Sequence, residues 1–142
     1  NKSNQIYSSW PLNNKAQNKH SIHQGVLMTT EGSSNQTLDN YLIVNKLEKI
    51  DLIKIDVDGN EFEVLSGAKK TLKRYKPPLI MELAPEQYED KSDFTKVVNL
   101  LLNLGYVFYS LNEKIKFSND IYKLQKSIPK NGSINVIARI SL

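Results

Sequence analysis

Residues 50–59 read Ile-Asp-Leu-Ile-Lys-Ile-Asp-Val-Asp-Gly. A β-branched, largely apolar run that stops at an Asp-Gly pair is a strand closed by turn chemistry. Residues 61–75 then place Phe62, Leu65, Ala68, Leu72 and Tyr75 at steps of three and four, with acids early and bases late as a helix dipole favours. Pro77 and Pro78 end that pattern, and residues 79–83 form a second apolar run between prolines, too short for a helix. Strand, helix and strand at this spacing imply a parallel crossover and an α/β sheet.

Thr37 can cap a helix whose apolar positions Leu38, Leu42 and Leu47 carry it to about residue 49. Residues 93–104 put Phe94, Val97, Val98, Leu101 and Leu104 on one helical face, with Gly105 where a left-handed cap belongs. Residues 106–111 read as a strand, 112–131 as a charged connection of no assigned structure, and 134–140 as the last strand. Two final strands without a helix between them suggest an antiparallel edge pair. Residues 1–36, rich in Asn, Ser, Lys and Gln, form a polar leader with little regular structure, at most one strand; residues 37–142 carry the domain proper.

Composition excludes several function classes. Cysteine is absent, so disulfides, thiolate zinc sites and cysteine nucleophiles are ruled out. No stretch approaches the roughly 18 apolar residues of a membrane span, and residues 1–9 lack the pattern of a signal peptide, so a soluble, cytoplasmic protein with no membrane partner is expected. The net charge of +4 comes almost wholly from lysine, with Arg74 and Arg139 the only arginines. Nucleic-acid sites lean on arginine forks, so no nucleic-acid partner is expected. His20 and His23 lack a third ligand for zinc, and Trp10 reads as an anchor for the leader.

Ligands of open α/β sheets sit beyond the carboxyl ends of the strands. Asp56, Asp58, Asn60 and Glu61 fall at that edge. An EF-hand reading of this phrase fails, because it puts Lys54 and Leu65 where acidic ligands are required. A haloacid-dehalogenase-like phosphatase is similar over Asp56-Val57-Asp58-Gly59, with Asp56 as nucleophile, yet the later strand ends in Glu82-Leu83 and no acidic pair for magnesium follows.

A third resemblance extends further. Thr37-Leu38-Asp39 opening a helix, residues 51–59, Glu61, Val64-Leu65 and Gly67-Ala68 at fixed offsets, then Met81-Glu82-Leu83 and Asn135-Val136-Ile137-Ala138, resemble the FkbM family of methyltransferases. The resemblance runs from about residue 37 to 140 and is specific over 37–83. It implies an α/β, Rossmann-like class I methyltransferase fold, incomplete here, with a mostly parallel sheet and an antiparallel last strand. The strand ending at Asp56 would be the fourth of seven, and the first three would precede Asn1.

The resemblance further implies S-adenosylmethionine as cofactor and an O-methyltransferase acting on a hydroxyl of a small molecule or glycan. No glycine of this chain follows a recognisable first strand, so most of the cofactor would be held by a missing N-terminal part of the same domain, and this chain alone would be inactive. Asp56, Glu82 and Glu61 are the catalytic candidates; Asp56, Asp58 and Asp39 are the cofactor-binding ones. Asp39 and Glu61 also have simpler readings as acids in a helix's first turn. Some related O-methyltransferases bind magnesium between acids at these two strand ends, which would make Asp56 and Glu82 ligands; with only two converging carboxylates that is the less favoured reading, and no metal site is assigned. A strand exposed by the absent ones predicts self-association. Noncatalytic scaffold and phosphatase stand as alternatives.

Overall fold

The structure is a computed structural model, and it describes residues 5–8, 26–29, 35–57, 59–88 and 90–141. The chain divides into two compact units, Asn1–Asn35 and Gln36–Leu142. In the first, β1 (Gln5–Ser8) pairs antiparallel with β2 (Val26–Thr29), so the leader holds two strands where at most one was expected.

The second unit opens with α1 (Leu38–Val44). Thr37 is extended, and its hydroxyl accepts from the Asn40 amide at 3.2 Å, as an N-cap should. The helix stops short of residue 49 because Asn45 folds its side-chain amide back onto the Tyr41 carbonyl at 2.8 Å and Lys46 turns left-handed at φ 52°. β3 (Ile53–Ile55) is also shorter than the apolar run that encodes it. Its neighbour is preceded by Pro77 and Pro78, which have no amide hydrogen to extend the ladder; pairing begins where the Ile53 amide donates to the Pro78 carbonyl at 3.0 Å.

The expected single helix over 61–75 is two: α2 (Glu61–Ser66) and α3 (Lys69–Tyr75). The Asp39 carboxylate accepts from the Lys70 amide at 3.0 Å, the Thr71 amide at 2.8 Å and the Thr71 hydroxyl at 2.7 Å. It thereby caps α3 from another helix. The Gly67 carbonyl in turn accepts from the Asp39 amide at 3.0 Å. A Cβ on Gly67 would stand 3.0 Å from the Thr37 methyl, so a glycine lets the start of α1 come this close.

β4 (Leu79–Leu83) follows, then α4 (Ser92–Asn103), which buries Phe94, Val97, Val98 and Leu101 and ends before Gly105 at φ 87°. β5 (Tyr106–Ser110), α5 (Ile121–Lys126) and β6 (Ile134–Ile140) complete the unit. α5 corrects the expectation of two final strands with no helix between them; it is capped by Asp120, which accepts from the Lys123 amide at 2.9 Å.

The four strands form a sheet of order β3-β4-β6-β5. β3 and β4 are parallel, and β6 is antiparallel to both β4 and β5, so three strands run one way and the last runs against them. β6 lies inside the sheet, and β5 forms the edge. Leu65 and Leu72 from the helices meet Leu79, Leu83, Phe108, Val136 and Ala138 from the sheet and Val97, Val98 and Leu101 from α4 in one core. Each large side chain so buried contributes about 1.5–3 kcal/mol. Among the described residues no helix is long and apolar enough to cross a membrane.

Candidate functional site

The parallel register pairs Ile55 with Met81, so the next residues, Asp56 and Glu82, come side by side at the carboxyl ends of β3 and β4. The Asp56 carboxylate is exposed and meets Lys54 Nζ at 2.6 Å, two residues back on the same side of the strand. An exposed pair of this kind is worth at most about 1 kcal/mol, so Asp56 exchanges partners readily. Glu82 is half-buried.

Behind these two acids the polar groups are enclosed. Glu61, the first residue of α2, is 4% exposed, and its Oε1 accepts from the Gly59 amide at 3.3 Å. Gly59 has φ 94°, and a Cβ there would stand 2.9 Å from the Gln87 carbonyl, so the loop after β3 lies directly against the loop after β4. The Val57 carbonyl accepts from both the backbone and side-chain amides of Asn60, at 3.2 and 3.1 Å, which turns the chain into α2.

Tyr88, in the second loop, is 2% exposed, with its ring edge-on to Phe94 at 6.2 Å between centroids. Its phenol is pushed far above the ordinary range, first by burial, then by the charge of Glu61 and the hydroxyl's interaction with that carboxylate, with Asp93 and Glu82 adding to the effect. Tyr88 therefore stays a neutral donor among three acids. The edge as a whole offers carboxylates to a cationic ligand, with a fixed wall behind them.

The structure thus brings Asp56, Glu82 and Glu61 to one edge. It does not bring Asp39 there: that carboxylate is engaged at the start of α3. Asp58, His20, His23 and Trp10 lie outside the described residues. Tyr88 and Asp93 escaped the sequence reading, although a tyrosine in the loop that leaves a strand's carboxyl end is a signal that position alone carries. Among the described residues no group of three or more His, Cys, Asp or Glu side chains is arranged to hold a metal. A surface hollow of about 430 Å³ lies beside Pro85 and Glu86, and another of about 320 Å³ lies apart from this edge, between α1 and α3.

A family model described as the methyltransferase FkbM domain matches residues 3–108. The chain belongs to the FkbM methyltransferase family. Comparison with curated proteins and with solved structures gives no match. The FkbM match takes in β1 and β2 as well as the acidic edge, so the polar leader falls within the family's domain; it ends in β5, before α5 and β6.

Proposed function

We propose that this chain forms the acceptor side of an S-adenosylmethionine-dependent O-methyltransferase with a Rossmann-like class I fold, acting on a hydroxyl of a small molecule or glycan. Within the family, the observation that carries this reading is the juxtaposition of Asp56 and Glu82 at adjacent parallel strand ends. The order β3-β4-β6-β5, with β6 reversed, is also the order expected of the fourth to seventh strands of that fold.

S-adenosylmethionine, when bound, supplies a methyl group activated on a positively charged sulfur. The residues present fit such a group, because its sulfonium and α-ammonium are both cationic and the edge that would face them is acidic. Asp56, released from Lys54, would hold the cationic end or orient the acceptor hydroxyl. Glu82 would take the hydroxyl's proton as general base. Glu61 and Tyr88 keep the two loops in register so that the acids converge, which matters because displacement requires the reacting atoms in line.

The test uses the full-length protein and a donor carrying a radiolabelled methyl group, with a panel of hydroxyl acceptors. A positioned general base contributes about 10²–10⁴-fold, so Glu82→Gln lowers kcat/KM by at least about 10²-fold. Full-length protein that fails to bind the donor in calorimetry would leave the scaffold reading. Magnesium-dependent hydrolysis of a phosphate ester, lost in Asp56→Asn and independent of any methyl donor, would favour the phosphatase.

A further inference from the structure

The hollow beside Pro85 and Glu86 differs in character from the acidic strand ends. It holds about 430 Å³, within the range of small-molecule sites, and is walled by the β4–α4 loop on one side and by α5 and residues 128–131 on the other. Ile134 pairs with Leu83, so the segment that leads into β6 lies at the same end of the sheet as Glu82. The floor is apolar, formed by buried Pro85 and Ile128.

The rim is aromatic, polar and basic. Tyr122 is 68% exposed, a large ring left out of the core, and Lys126 Nζ sits over it at 5.3 Å from the centroid. Among the described residues no carboxylate pairs with Lys126 or Lys130, whereas the acid on the rim, Glu86, is bonded to Lys91 at 3.3 Å. The side-chain amide of Gln125 completes the lining. An exposed ring offers an apolar face for the C–H side of a pyranose, an amide both donates to and accepts from hydroxyls, and two uncompensated ammonium groups select a negative charge.

We infer that this groove binds the acceptor, and that the acceptor is a sugar carrying an anionic group, a carboxylate or a phosphate. The assignment of the bound sugar as acceptor rests on the methyltransferase reading; the binding itself does not. Tyr122 supplies the stacking face, Lys126 and Lys130 hold the anion, and the sugar hydroxyls extend toward Glu82.

The experiment is a heteronuclear NMR titration of this chain with glucuronic acid, glucose 6-phosphate, glucose and inorganic phosphate, which needs no methyl donor. The anionic sugars are expected to shift the Tyr122, Gln125, Lys126 and Lys130 resonances and to bind at least about tenfold tighter than glucose, the tighter of the two identifying carboxylate or phosphate. The double variant Lys126→Gln/Lys130→Gln loses that advantage, and Tyr122→Ala weakens both anionic sugars while leaving the folded spectrum intact. Equal binding of glucose, retention of the preference in the lysine variant, or inorganic phosphate matching glucose 6-phosphate would overturn the proposal. In the full-length enzyme the two readings separate: methyl transfer unaffected by the lysine variant sinks the groove and spares the reaction, while sugar binding without methyl transfer does the reverse.

Discussion

Replacing Asp39 with alanine removes three hydrogen bonds at once: those from the Lys70 amide, the Thr71 amide and the Thr71 hydroxyl. Loss of an N-cap costs about 1 kcal/mol. Thr71 is 3% exposed, so its hydroxyl finds no water in place of the carboxylate, and a buried donor left without an acceptor adds about 1–3 kcal/mol. Lys70 is exposed, and its amide turns to solvent at little cost. The sum is about 2–4 kcal/mol. At a urea m-value of about 2 kcal/mol/M, the midpoint falls by about 1–2 M.

The pH dependence follows from the same bonds. Burial raises the Asp39 pKa, but the Thr71 hydroxyl, the two backbone amides and the Lys70 charge together outweigh it, and the group ends below its ordinary value. A carboxylate depressed in the folded state stabilises fully above its unfolded pKa, about 3.9, and loses that contribution as pH falls through the folded value. The gap between wild type and Asp39→Ala is therefore constant at neutral pH and narrows below about pH 4. Urea melts followed by circular dichroism at pH 7 and pH 3.5 measure it. A midpoint within about 0.3 M of wild type at pH 7 would refute the cap. A variant of normal stability whose full-length form no longer binds methyl donor would return Asp39 to the cofactor site.

Gly59→Ala forces a side chain into a φ of 94° and within 2.9 Å of the Gln87 carbonyl, so thermal denaturation should show a loss of about 2 kcal/mol or more; a melting temperature unchanged within a degree would mean that the two loops do not pack as described. Burial pushes the Tyr106 phenol up to about 12, and Tyr88 is raised as well. Both stabilise the fold below the unfolded phenol pKa of about 10 and lose that contribution as pH rises through their folded values. Tyr88→Phe and Tyr106→Phe should thus leave the tyrosinate absorbance gained up to about pH 10.5 unchanged in the native protein, and a drop in either variant contradicts the assignment. Leu101→Ala, at a fully buried position where α4 faces the sheet, should cost about 2–5 kcal/mol by urea titration, and a loss under about 1 kcal/mol would place Leu101 outside the core.

Periodicity carried the strand-helix-strand unit into view because its apolar positions face a single core, and Gly105 marked the end of α4 through a conformation that glycine favours. What stayed hidden depended on partners distant in sequence. The break at Gly67 is set by Asp39, the shortening of β3 by the prolines ahead of its neighbour, and the burial of Tyr88 by Phe94 and Glu61. α5 is one short turn-and-a-half whose only local mark is Asp120 at its cap. At the site, Asp56 and Glu82 were legible because parallel register aligns residues at equivalent strand ends. Asp39 sits in the same family pattern, yet its carboxylate serves helix packing, which a motif read along the chain does not distinguish from ligand contact.

β6 has an implication for how the molecule is made. It follows both β4 and β5 along the chain, yet it is the one that joins them. Until it emerges, β5 has only the bridge from Tyr109 to Lys116, and one side of β4 is left unpaired. Assembly must wait for Ile134–Ile140 and then admit them between two strands that precede them, a non-local step of the kind that slows folding. A nascent or prematurely terminated chain that stops before Ile134 would carry the acidic strand ends and the whole of the family's matched region while remaining open, a natural target for chaperones and proteases rather than a smaller enzyme.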